Sequence, residues 1–76
     1  MEAFLKFFNS IADDNGFNLE VYYSSIVDWS IKVGYKCTNK NHGETVIDVQ
    51  DCDMEFAFAK AQVQLKEWMI KNKGGY

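Results

Sequence analysis

The side chains best suited to chemistry in this chain are few and scattered. Cys37 and Cys52 are its two thiols, His42 in "NKNHGET" is its single imidazole, and Asp51 and Asp53 bracket Cys52 in "QDCDMEF". A structural metal site needs cysteine and histidine ligands at close, recurring spacing. These cysteines stand in neither a CxxC nor any other metal pattern, and a lone loop histidine reads as a solvated side chain. Nucleophilic catalysis needs an activated group. The chain has no GxSxG elbow, no Cys–His arrangement and no glycine-rich phosphate loop. Its carboxylates mark no evident cleft. Asp51 or Asp53 serves better as the cap of a following helix, since a carboxylate there accepts from free N–H groups. The expectation is a protein that is not an enzyme and uses no metal and no cofactor.

The charge balance narrows the partners. The net charge is −3 and all eight basic residues are lysine. Arginine is the side chain that reads phosphates and base edges with two parallel hydrogen bonds, so its absence argues against a nucleic-acid partner. No signal peptide, lipidation motif or membrane-length apolar run is evident, which places the chain in the reducing cytoplasm with free thiols and no membrane partner. With 76 residues, 47% of them hydrophobic and 16% aromatic, the chain makes one small globular domain.

The elements follow from periodicity. Over Glu2 to Asp13, Met1, Phe4, Leu5, Phe8, Ile11 and Ala12 share one helical arc, with Phe7 at its edge, and "DDNG" ends the helix at Gly16. The period then becomes two. Phe17, Leu19, Val21 and Tyr23 alternate with polar residues, as do Trp29, Ile31, Val33, Tyr35 and Cys37. A third strand runs near Glu44 to Gln50 with Thr45, Ile47 and Val49 inward. A first hairpin turning about Ile26 sets Tyr23 opposite Trp29, Val21 opposite Ile31, Leu19 opposite Val33 and Phe17 opposite Tyr35. A second turning about Asn41 sets Tyr35 opposite Ile47 and Val33 opposite Val49. Both keep the apolar set on one face, where a slip by one residue would not. The outer face then pairs Glu20 with Lys32 and holds Asp48 diagonally from Lys32 and Lys36. Cys37 and Cys52 fall near opposite ends of the sheet, which argues against a disulfide.

The final helix carries the functional expectation. Met54, Ala57, Phe58, Ala61, Leu65, Trp68 and Met69 form a broad stripe for the core. Phe56, Ala59, Val63 and Ile70 form a second, narrower stripe on the opposite side. A helix lying on a sheet needs one such stripe. The second is covered by the first helix or by the tail around Tyr76, or is left as scattered apolar groups on the surface, or is a surface for a protein partner or for self-association. Burying each large side chain contributes roughly 1.5–3 kcal/mol, enough for a homodimer through this helix. The open sheet face, with Tyr22, Lys32, Lys36 and Val46, is a second candidate surface, where Tyr22 also serves as a cross-strand filler beside Ser30.

The resulting class is α+β, in the order α-β-β-β-α: a three-stranded antiparallel sheet with two helices packed on one face. Residues 1–73 form the single domain and 74–76 a frayed tail. This order resembles the double-stranded-RNA-binding domain over nearly the whole chain. That family carries a lysine cluster at the start of its last helix, where this chain reads "DCDMEFAFAK", and a Gly-Pro-x-His loop, where it reads "SSIVD". The resemblance therefore extends to topology. Its activity is the rival expectation, a nucleic-acid-binding protein acting through Lys32, Lys36, Lys40 and Lys60. Toxins of the Hic type share the topology, but their RNA-cleaving histidine lies in a basic setting that His42 lacks. "DWSIKVGYK" followed by "VIDVQDCDMEFAFAKAQVQLKEWM" resembles small phage- and prophage-encoded proteins, some of them anti-CRISPR inhibitors. That resemblance, over about half the chain, implies a non-enzymatic inhibitor that binds and occludes a larger host or defence complex in the host cytoplasm.

Overall fold

Helix α1 spans Glu2–Asn15 in the computed structural model, which describes residues 1–76. Its apolar arc does what the spacing implies: Phe4, Ile11 and Ala12 are buried, and Phe7 and Phe8 pack at the edge of the core. Leu5 is 40% exposed, so the arc is covered on one side more than the other. The helix stops at Gly16, which adopts φ 67° and ψ 32° and turns its N–H back to the carbonyls of Ala12 and Asp13. This left-handed cap is open to glycine because a Cβ there crowds the following carbonyl. Gly16 also accepts from the Lys36 N–H at 2.9 Å, which fastens the helix end to the sheet.

Strands β1 (Phe17–Ser24), β2 (Asp28–Tyr35) and β3 (Thr45–Asp51) form one antiparallel sheet in the order β1-β2-β3. The first hairpin has the expected register, from Phe17 opposite Tyr35 to Tyr23 opposite Trp29. Its turn is held by Ser24, whose Oγ accepts from the N–H groups of Ile26 and Val27, and by Asp28 at φ 55°. Aspartate tolerates that left-handed geometry better than most side chains.

The second hairpin differs from expectation by two residues. Val33 lies opposite Ile47 and Ile31 opposite Val49, and the register breaks between Val33 and Gly34, which faces Thr45. A pleat with period two cannot distinguish registers two residues apart, because both keep the same faces. The deciding structure is local. Residues 36–44 form successive turns closed by Asn39 N–H to Lys36 O, His42 N–H to Asn39 O and Glu44 N–H to Asn41 O. Strand β2 consequently ends at Tyr35, short of Cys37, and Thr45 is exposed instead of inward. Val46, expected on the outer face, packs against the core, because the irregularity turns it over.

Helix α2 (Met54–Lys73) lies on the inner face across β2 and β3, while α1 lies against β1 and α2. Ala57 and Ala61 are fully buried beside Phe58, Leu65 and Met69, and meet Ile31, Val33, Ile47 and Val49 of the sheet in one core. Alanine at those two positions removes side-chain bulk where helix and sheet approach. Phe4 packs on Phe58 at 5.7 Å between ring centres, and Phe17 packs on Trp68 at 5.6 Å. The architecture is α-β-β-β-α with both helices on one side of an open sheet.

Two inward expectations change. Val21 and Tyr23 share the inner face with Phe17, yet they are 43% and 58% exposed, because the helices do not cover that end of the edge strand. The C-terminal tail folds back along α2 onto α1. Gly74 caps α2 at φ 76°, the Gly75 N–H donates to Met69 O at 3.2 Å, and the Tyr76 ring meets Phe7 edge-on at 5.0 Å. The Lys66 ammonium stands over both rings, at 5.2 and 5.5 Å.

Gly16→Ala should destabilise the fold by at least about 1–2 kcal/mol, the cost of a side chain in a left-handed conformation. A Cβ there also requires the Asn39 side-chain amide to move aside. A urea unfolding midpoint that does not move would contradict the cap assignment.

Candidate functional site

Because α2 seats Ala57, Phe58, Ala61, Leu65 and Met69 on the sheet, its opposite side faces away from the protein. Phe56, Val63 and Ile70 stand there 64%, 56% and 58% exposed, with Ala59 exposed among them. At 1.5 Å rise per residue the line from Phe56 to Ile70 is about 21 Å long. Ala59, Lys60, Val63 and Gln64 line a shallow depression along it. Neither expected cover reaches the stripe. Helix α1 is occupied beside α2 through Phe4 and Phe58, and the tail is occupied on Phe7.

The N-terminal end of the stripe is held by a small polar network. Asp53 caps α2 by accepting from the Phe56 N–H at 3.1 Å. Asp51 accepts from the Asp53 N–H at 2.9 Å with one oxygen and from the Lys60 ammonium at 2.5 Å with the other. Its side chain is only 15% exposed, against 53% for Lys60. The Lys60 hydrogen bond first, and the Asp53 N–H second, hold the Asp51 carboxyl below its ordinary pKa. Phe56 and Lys60, one turn apart, are thereby presented from a fixed helix start. Where the double-stranded-RNA-binding domain has lysines, this end presents Asp51, Asp53 and Glu55, and Lys60 is already paired.

The second candidate surface is on the other side of the molecule. Tyr22 is 59% exposed on the outer sheet face and lies directly opposite Ser30, which is buried. Lys32 stands between Glu20 on β1 and Asp48 on β3. Asp48 is therefore its direct neighbour and not a diagonal one, a consequence of the two-residue shift. Lys32 forms no ion pair: the three in the protein are Lys6–Glu2, Lys36–Asp13 and Lys60–Asp51. Lys36 does not join this surface. It follows the end of β2 and turns to Asp13 of α1 at 3.5 Å. The structure thus brings Phe56, Ala59, Val63 and Ile70 together, sets Tyr22 with Lys32 elsewhere, and leaves Lys36 apart from both.

The sequence reading missed a third exposed group: Val21, Tyr23 and, at 89% exposure, Ile26 at the hairpin tip. The signal available was "SSIVD" itself, which puts an isoleucine where turns favour small polar residues. Both cysteines are exposed and free, and no three His, Cys, Asp or Glu side chains are placed to hold a metal ion. No helix is long and apolar enough to cross a membrane. Burial, with Glu44 second, raises the Tyr35 phenol above its ordinary pKa.

Comparison with protein-family models, with curated proteins and with solved structures finds no match to this chain.

The Asp51–Lys60 pair predicts an acid-side stability profile. A carboxyl whose folded pKa is depressed contributes stability above its unfolded value, about 3.9, and loses it as pH falls through the folded value. Lys60→Met should lower the thermal midpoint at pH 7, and the gap from the native chain should close as the pH falls below the ordinary carboxylate range. A gap independent of pH would mean that the pair does not couple to folding.

Proposed function

We propose that this chain is a non-enzymatic protein-interaction module whose principal contact is the outer stripe of α2. The observation that carries this reading is the exposure of Phe56, Val63 and Ile70 in one line on a helix already seated by its other face. Single exposed apolar side chains are ordinary on protein surfaces, but a contiguous apolar line flanked by charges is the usual form of a helix that docks on protein. The flanks fit that form: Lys60, Gln64, Glu67 and Lys71 on one side, Glu55, Gln62 and Lys66 on the other. Full burial of a large side chain contributes roughly 1.5–3 kcal/mol, and little more than half of each of these three is still exposed, so one copy gains roughly 3–5 kcal/mol before the cost of association. Contacts of that size are modest unless the partner contributes an equal apolar surface.

The resemblance to phage-encoded inhibitors gives this reading its biological form. The protein acts in the cytoplasm of a host cell by occupying a surface on a larger host or defence complex. A module of this size works by steric occlusion, which requires a shape and an adhesive face but no reacting group. The outer sheet face with Tyr22 and Lys32 is a second contact, separated from the stripe by the thickness of the fold.

Photo-crosslinking in cells tests the reading. With p-benzoylphenylalanine replacing Phe56, a protein adduct should form on irradiation and should vanish when Val63→Glu is added. No protein adduct from position 56, under conditions where the probe at an exposed control position such as Glu2 behaves the same, would overturn it.

A further inference from the structure

We infer that the outer stripe of α2 is covered by the same stripe of a second copy, the two helices running antiparallel about a two-fold axis at Val63. This rests on the stripe being a protein contact. Its apolar pattern is symmetric about that residue: Phe56 lies seven positions before Val63 and Ile70 seven after it. An antiparallel pair therefore sets Phe56 of each copy against Ile70 of the other and Val63 against Val63. A two-fold contact must be self-complementary in this way, with residue i meeting j and j meeting i.

The charges obey the same symmetry. At 100° per residue Lys60 and Glu67 lie on one flank of the stripe, three positions before Val63 and four after it. In the antiparallel pair each flank meets its own copy, so Lys60 of each chain faces Glu67 of the other. Glu67 is exposed and forms no ion pair within its own chain. Lys60, although bonded to Asp51, keeps half its side chain exposed and has further ammonium protons to donate. On the other flank Glu55 of one copy comes within lysine reach of Lys73 of its partner, and both are exposed. Ala59 opposes Lys66 there, and Lys66 is drawn aside over Phe7 and Tyr76. A parallel pairing would instead set each flank against the opposite flank of the partner, so Lys60 would face Ala59 rather than a carboxylate.

The size of the contact sets its strength. An aromatic side chain offers on the order of 150–250 Å² and Val63 and Ile70 somewhat less, so the exposed parts of the three with the flanking stems give at most on the order of 1,000 Å² over both copies. That is the lower end of specific interfaces. The dimer should therefore dissociate in the micromolar range. It leaves both outer sheet faces open, pointing away from each other, so the stripe serves the pairing and a host complex would meet the dimer through the faces that carry Tyr22 and Lys32.

Sedimentation of the full chain from about 1 µM to 1 mM, with the fold of every variant checked by circular dichroism, tests this. The native chain should pass from monomer to dimer, and Val63→Glu should remain monomeric while folded. Lys60→Glu and Glu67→Lys should each weaken the dimer by about tenfold or more, because like charges then face each other twice. Mixing the two variants pairs opposite charges at both contacts, so native mass spectrometry of an equimolar mixture should show the heterodimer well above the share that random pairing gives, about half of all dimers. If Lys60→Glu fails to fold for want of its Asp51 bond, Glu55→Lys mixed with Lys73→Glu provides the same test. A native chain that is monomeric at 1 mM, a dimer indifferent to Val63→Glu, or a mixture with no preference for the heterodimer overturns the inference. A monomer whose position 56 still crosslinks to a different protein overturns the two-fold pairing alone and leaves the interaction module standing.

Discussion

The seating of α2 on the sheet is the constraint on which the rest of this protein depends. Ala57, Ala61 and Leu65 have no exposed surface, and they meet Ile31 and Val33, which have none either. Only 14 of the 76 residues are buried, so no second core is available to compensate if this contact loosens. The alanines set the distance, and Phe58, Leu65 and Met69 fill the space on either side. Once that face is committed, the rotation of the helix is fixed. Phe56, Val63 and Ile70 must then point outward, whatever occupies them.

Two further devices keep the helix in that rotation. At its start, Asp53 and Asp51 bind the backbone and Lys60, so the first turns cannot roll without breaking charged hydrogen bonds. At its end, Gly74 and Gly75 fold the chain back, and Tyr76 and Lys66 close over Phe7 of α1. The tail is thus used to hold α1 against α2, which is why it does not reach the outer stripe. A helix face fixed at both ends has little conformational freedom left to lose.

The sheet divides its two edges differently. Strand β3 is drawn under α2, and the irregularity at Gly34 turns Val46 inward as well. Strand β1 extends past the helices, leaving Val21 and Tyr23 open on the face that periodicity assigns to the core. Tyr23 is partly compensated by the Trp29 ring at 5.0 Å. The outer face is more polar and less committed: Lys32 sits between two carboxylates without closing on either.

The amino-acid sequence by itself determined the element order, the faces of β1, of β2 and of β3 from Ile47 onward, the first hairpin register and the two stripes of α2. Each of these follows from the spacing of apolar residues along one chain or across one tight turn, and such spacing is local. The second register was not legible, because Val33 opposite Ile47 and Val33 opposite Val49 satisfy the same alternation, and the turns of residues 36–44 choose between them. Nor could periodicity show that Val21 and Tyr23 are left open, that Lys36 turns to Asp13, or that Tyr76 rests on Phe7. Those depend on how far each helix reaches over the sheet. Only the tertiary structure decided that the outer stripe of α2 is uncovered within its own chain, because covering is a property of the elements packed around a residue and not of the residue's own spacing.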